Sequence, residues 1–255
     1  MEQTRLVDTE CRAELPLSCL LVHGLGGGPY ELEPLADSLR KAGHLVLSLT
    51  LPGHEKTGGW VMPASRWQDW SHAVEQGFDQ LATHGRPVAV VGFSTGGTLA
   101  LWLSLSRPVA RLVLLAPFLA IRHAHRVPLF KPEQYLRWLS WFVPHVPRFS
   151  PPIRDREARH LFAREERFRT FNLAATLSAL NLIQQLKPRL SEVAVPTLIL
   201  QGRRDSVVEP RGAQAIFDAI GTSNRSLIWL DRSDHLMVVD HDRAEVLERV
   251  QTFLS

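Results

Sequence analysis

A serine set between two glycines, Gly92-Phe93-Ser94-Thr95-Gly96, is the part of this sequence best suited to covalent chemistry. A serine hydroxyl is a weak nucleophile until a neighbouring base takes its proton and a third group holds that base in the right tautomer. The string G-x-S-x-G means little alone. Here it follows the apolar run Val88-Ala89-Val90-Val91 and precedes the helical Thr98-Leu99-Ala100-Leu101-Trp102-Leu103, the strand, sharp turn and helix that an exposed nucleophile requires. Gly92 and Gly96 leave room for the turn, and Gly97 adds clearance. The plainer alternative is a glycine-rich turn that packs a helix on a sheet, which the strand-to-helix context disfavours.

The base and its orienting acid should lie beyond later strands. Thr197-Leu198-Ile199-Leu200-Gln201 is followed by Gly202-Arg203-Arg204-Asp205, and Leu227-Ile228-Trp229-Leu230 by Asp231-Arg232-Ser233-Asp234-His235. Ser94, Asp205 and His235 then stand in the chain order of one known triad arrangement. Asp231, Asp234 and Asp240 compete for the role of the acid, and a carboxylate near a histidine is usually a solvated neighbour. Asp205 is preferred because it ends its own apolar strand. His241 opens the terminal helical pattern and is read as facing solvent.

Acyl transfer also needs preset N–H donors for the oxyanion. His23-Gly24-Leu25-Gly26-Gly27-Gly28 follows the first apolar strand, so the expected donors are the amides of Leu25 and Thr95. A dinucleotide loop is the competing reading of these glycines, but the run is G-x-G-G-G rather than G-x-G-x-x-G, and no acid ends the strand at Thr50. His23 is read as a structural hydrogen-bonding residue rather than a base.

These residues need a scaffold, and short apolar runs alternating with helical patterns predict an α/β fold with a mainly parallel sheet covered on both faces. Strands are expected at Leu17–His23, Leu45–Thr50, Pro87–Gly92, Arg111–Ala116, Thr197–Gln201 and Ser226–Leu230. Helices Tyr30–Ala42 and Trp67–His84 each end at a glycine, Gly43 and Gly85, suited to a left-handed cap. The 255 residues suffice for one large core, and 45% hydrophobic with 22% charged residues excludes a disordered or fibrous chain. The rhythm breaks only between Leu119 and Val195, a gap too long for a loop. With its prolines and the helical patterns Arg154–Arg169 and Phe171–Leu186, it is expected to be a helical cap, residues 119–195, inserted into a core of 1–118 and 196–255.

Met1 to Glu14 holds no apolar stretch of signal-peptide length, and no segment reaches the roughly 20 apolar residues of a membrane span. Two cysteines, Cys11 and Cys19, make no disulfide framework or metal cluster. The expectation is a cytoplasmic protein. Its net charge of +3 points to solubility rather than a nucleic-acid partner.

With those residues in hand, the chain resembles the bacterial carboxylesterases and monoacylglycerol lipases of the α/β-hydrolase superfamily. The likeness runs through His23-Gly24-Leu25-Gly26-Gly27, Glu33-Pro34-Leu35-Ala36, Leu51-Pro52-Gly53-His54, Trp67-Gln68-Asp69-Trp70, the serine turn, Gly202-Arg203-Arg204-Asp205 and Ser233-Asp234-His235-Leu236. It implies a small-molecule ester substrate, no cofactor, a cap after the strand ending at Ala116, the triad Ser94, Asp205 and His235, and oxyanion donors Leu25 and Thr95. Glu55 stands where the family often has glycine, and Thr95 where it often has Met or Leu; the backbone amide survives either change.

The cap matches the family least. From Arg122 to Arg169 it carries 11 Lys or Arg against 5 Asp or Glu. A lipid surface, an anionic substrate or an acidic partner could use this excess, although a solvated, salt-bridged helix explains it as well. Tyr135, Trp138, Trp141 and Phe142 repeat at helical spacing, and Trp138, Trp141 and Phe142 are read as substrate-binding: an acyl wall or interfacial surface if they do more than pack cap on core. Ester hydrolysis through an acyl-enzyme is the leading reading. Cleavage of an amide, thioester or carbon–carbon bond by the same triad is the runner-up, and a non-catalytic binding protein would have lost a triad member.

Overall fold

A strand buried on both faces is mostly apolar, and the four central strands of this protein are, with Ser18, Arg111, Thr197 and Gln201 at or near their ends. The computed structural model describes residues 16–55, 61–122, 139–140, 142–148, 150–163 and 168–255. Its main sheet is built of β1 (Ser18–Val22), β2 (Leu45–Leu49), β3 (Val88–Phe93), β4 (Arg111–Leu115), β7 (Thr197–Gly202) and β8 (Arg225–Leu230). All six are parallel, in the order β2-β1-β3-β4-β7-β8. Residues of β1, β3 and β7 are buried without exception, whereas the edge strand β2 is half-buried along its length. These are the six strands expected from the sequence, to within two residues at each end.

The helices follow the glycine and proline signals. Gly43 and Gly85 adopt φ of 90° and 69°, the left-handed region their positions call for. The pattern from Tyr30 divides into a 3-10 turn, Pro29–Glu31, and helix α1, Glu33–Lys41. Pro34 explains the division, since it has no N–H to give and is accommodated only in a helix's first turn. Helix α2 spans Trp67–Ala82 and α3 spans Thr95–Leu103.

The segment after β4 departs from the expected helices. Beyond Leu119 the chain forms a small antiparallel pair, β5 (His145–Pro147) with β6 (Thr170–Asn172), which the sequence reading lacked. Helix α4, Arg156–Phe162, starts two residues later than its pattern because Asp155 caps it, accepting from the amides of Glu157 and Ala158 at 3.0 and 3.2 Å. Helix α5, Leu173–Leu186, starts two residues late for the same reason: Asn172 accepts from the Ala175 amide at 3.1 Å. It packs on α2 and α3, beside the main sheet. Helices α6 (Arg211–Ala219) and α7 (Arg243–Leu254) complete the chain. Tyr135, Trp138 and Trp141 lie outside the described residues, and Phe142 is 70% exposed.

Strand order reverses between β1 and β3, where β1 pairs with β2 on one side and β3 on the other. Loops leaving the carboxyl ends of two such strands diverge and leave a crevice, the usual ligand site of an open parallel sheet. Val22 is in register with Gly92, and Phe93 with Leu115, so the glycine loop after β1 and Ser94 after β3 emerge at one edge.

Candidate active site

Ser94 occupies φ 54°, ψ −118°, a conformation that L residues rarely adopt. Its backbone is fixed on both sides: its amide donates to Leu115 O at 2.9 Å, and its carbonyl accepts from Gly97 N at 2.9 Å and Phe118 N at 3.1 Å. The flanking glycines are steric necessities. A Cβ on Gly92 would strike the Gly96 carbonyl, and one on Gly96 would strike the carbonyl oxygens of Val22 and His23. The turn therefore presses α3 against the end of β1, with Ser94 only 7% exposed.

His235 and Asp205 meet across 30 residues of sequence, His235 Nδ1 lying 2.8 Å from Asp205 Oδ2. An ionised carboxylate only accepts, so Nδ1 carries the proton and Nε2 is left as the basic nitrogen. The Asp205 carboxylate is saturated: Oδ1 accepts from the Val207 and Val208 amides at 2.8 and 2.9 Å, and Oδ2 also accepts from Gln201 Nε2 at 3.1 Å. Burial would raise its pKa, but the charge and hydrogen bond of His235 and the two amides outweigh that and hold it below the ordinary aspartate value. The His235 ring lies 4.8 Å from that of Phe93, the residue before Ser94.

The competing carboxylates are otherwise employed. Asp231 is exposed and pairs with Arg203 at 3.0 Å. Asp234 Oδ1 accepts from the amides of Ser206 and His235, at 2.7 and 2.8 Å, tying the loop after β7 to the loop after β8. Asp240 is fully buried and accepts from four amides, those of Arg154, Asp155, Asp234 and His241, at 2.8–2.9 Å. His241 is partly exposed, 3.8 Å from Asp155.

The glycine loop sits directly over the serine, a Cβ on Gly24 falling 3.2 Å from that of Ser94. Its neighbours hold it from below. His54 Nε2 accepts from the Gly26 amide at 2.9 Å and Glu31 Oε2 from the Gly24 amide at 3.2 Å. His23 Nε2 accepts from Leu51 N at 3.1 Å while Nδ1 donates to Gly24 O at 2.8 Å, the structural role expected of it. Burial lowers both histidines, His23 to about 3 with the help of His54, and His54 to about 4, so both are neutral supports. Among the described residues the Leu25 amide has no hydrogen-bond partner, and the Thr95 amide, first in α3, has none within its helix. Thr95 directly follows Ser94, and Leu25 directly follows Gly24, whose Cβ position is 3.2 Å from that of Ser94.

Glu31, His54, Gln201 and Arg148 were not read from the sequence as parts of this site. Glu31 had a legible signal: with Leu35 and Leu39 it repeats every fourth residue, an acid on an apolar stripe. It is buried, and burial pushes its carboxyl up to about 7 against the charges of Arg148 and His235 and the amides of Gly24 and Gly28.

A six-stranded parallel sheet with a strained serine after β3, an acid after β7 and a histidine after β8 defines an α/β-hydrolase. The family model Hydrolase_4, described as serine aminopeptidase, S33, matches residues 15–242, and the chain belongs to that family. It is 28% identical over 240 residues to the thermostable monoacylglycerol lipase of Bacillus sp. (strain H-257), covering 94% of this chain and 91% of that one. It is 25% identical to the carboxylesterase of Bacillus subtilis (strain 168), over 92% and 91% of the two chains. The fold is shared with the crystal structure of Paleococcus ferrophilus monoacylglycerol lipase, with a TM-score of 0.80, 19% identity and coverage of 94% and 95%.

Proposed function

We propose that this protein hydrolyses carboxylic esters of small-molecule alcohols, a monoacylglycerol among them, through an acyl-enzyme on Ser94. The 2.8 Å contact between His235 Nδ1 and the buried Asp205 carboxylate, beside the strained serine turn, carries the reading. In it Ser94 Oγ attacks the ester carbonyl and its proton passes to His235 Nε2. The amides of Leu25 and Thr95 receive the oxyanion. Collapse expels the alcohol, which takes the proton from His235; water then attacks the acyl-enzyme with His235 again as base, releasing the acid and restoring Ser94. Asp205 stays ionised throughout and steadies the imidazolium.

Relatives named as a monoacylglycerol lipase and a carboxylesterase favour esters over other acyl bonds. The family's description as a serine aminopeptidase keeps amide cleavage as the second reading. The chain divides in this view into a core, 1–118 and 196–255, and an inserted cap, 119–195, in support of which β5 and β6 pair apart from the main sheet. Trp138, Trp141 and Phe142 bind the acyl chain or a lipid surface, the exposure of Phe142 favouring the surface. The basic cap would strengthen a weak contact with anionic lipid. Among the described residues no helix is long and apolar enough to cross a membrane. Cys19, buried and free, suits a reducing, cytoplasmic compartment.

A fluorophosphonate probe tests the nucleophile. Labelling of the wild type and none of Ser94→Ala is expected; labelling that persists in the variant refutes the assignment. Turnover of p-nitrophenyl esters but not the matching anilides distinguishes ester from amide chemistry.

A further inference from the structure

Taking the proposed ester hydrolysis as its basis, we propose that Glu31 is a positioning residue that fixes the loop bearing the Leu25 amide, and that Arg148 of the inserted segment holds the same loop from its other side. Glu31 lies in the 3-10 turn that follows the loop, and its buried carboxylate folds back beneath it, accepting from Gly24 N at 3.2 Å. The fit is close: a Cβ on Gly27 would strike that carboxylate, so the glycine run is the room that Glu31 occupies. Arg148, just after β5, donates from Nη1 to the Gly26 carbonyl while its guanidinium stacks 4.4 Å from the Phe171 ring of β6. Gly24 and Gly26, the two neighbours of Leu25, are thus each tied by a side chain, one from the core and one from the insertion.

The consequence concerns direction rather than charge. The Leu25 amide, without a hydrogen-bond partner among the described residues, stabilises the oxyanion only if it is aimed before charge develops, since reorganising during the reaction forfeits the gain. Its own peptide is held at the Gly24 carbonyl by His23 Nδ1 and the Gly27 amide, the plane before it by Glu31 at Gly24 N, the plane after it by His54 at Gly26 N, and Arg148 fixes the Gly26 carbonyl one plane further on. Through Arg148 the paired strands β5 and β6 are linked to the oxyanion donors, so the seating of the insertion bears on the chemical step.

The loss should fall on kcat, because the donor acts in the transition state and contributes little to ground-state binding. Steady-state kinetics on a short p-nitrophenyl ester would compare wild type, Glu31→Ala, Glu31→Gln, Arg148→Ala and the double variant Glu31→Ala/Arg148→Ala, with Ser94→Ala as control and thermal melts of each. Glu31→Ala should lower kcat about 10- to 100-fold with KM within about threefold, and Glu31→Gln, which keeps a carbonyl oxygen for Gly24 N–H, should recover most of it. Arg148→Ala should show the same kcat-weighted loss, and the double variant less than the product of the two. An unchanged kcat in Glu31→Ala, a loss confined to KM, or a Gln variant as impaired as the Ala one overturns the proposal. If Glu31→Ala does not fold, Glu31→Gln and Arg148→Ala decide, and an undiminished kcat in Arg148→Ala overturns it. Activity surviving in Ser94→Ala would instead refute the hydrolase reading itself.

Discussion

The carboxylate of Asp240 reaches 86 residues back along the chain to the amide of Arg154, at 2.9 Å, and so joins the His235 loop to the entrance of α4. Each of its oxygens takes two amides, Oδ1 those of Asp155 and His241 and Oδ2 those of Arg154 and Asp234. It is an organising group for backbone, whereas Asp205 faces the imidazole.

That contrast separates two conservative substitutions. Asp205→Asn should lower kcat on the order of 10³- to 10⁴-fold with little loss of folding, since the amide favours the wrong tautomer of His235. Asp240→Asn sets an NH2 against two amide donors and should cost about 2–3 kcal/mol of stability in urea titration, with a much smaller change in kcat. If Asp205→Asn proved fully active while Asp240→Asn was dead, the acid has been misassigned.

Two glycines should also separate. A Cβ on Gly96 meets fixed backbone oxygens, so Gly96→Ala should cost about 3 kcal/mol or more and yield little folded protein. At Gly27 the obstruction is the movable end of Glu31. Gly27→Ala should therefore fold, with a melting temperature near wild type, yet turn over slowly because the carboxylate is displaced; a fully active Gly27→Ala would argue against that account.

Stability should weaken on acidification before the carboxylates titrate. His23 and His54 are lowered to about 3 and about 4 in the fold from an ordinary 6.5, so between those values the unfolded chain binds more protons than the native one. Stability then falls as pH drops below 6.5, on the order of a kcal/mol per pH unit for each histidine. Glu31, raised from 4.5 to about 7, acts oppositely, losing its contribution as pH rises over that range, and offsets part of the slope. Denaturant melts at pH 7.5, 6 and 5 measure the balance, and a flat profile from 6.5 to 5 would contradict two buried neutral histidines.

Substrate length should report on the insertion. If Trp138 lines the acyl site, Trp138→Ala lowers kcat/KM for dodecanoyl esters more than for acetyl esters, since each buried methylene contributes about 0.8 kcal/mol. A uniform loss accompanied by a lower melting point would mark it as packing alone.

The sequence alone determined the six strands, the two glycine-capped helices and the order Ser94, Asp205, His235, because apolar runs, glycine caps and a serine between glycines are local patterns that need no distant partner to be read. It preferred Asp205 to Asp231, Asp234 and Asp240 only for its place at a strand end, and it passed over Glu31 on its apolar stripe and Arg148 in the segment that matched least. Which partners each of them meets only the tertiary structure shows. The choice between Asp205, Asp234 and Asp240 rests on which backbone amides and which imidazole each carboxylate meets once β7, β8 and α4 converge. Arg148 acquires its place through a carbonyl 122 residues away. A buried polar group is stable only where its partners gather around it, and those partners come from separate elements whose meeting no local pattern records.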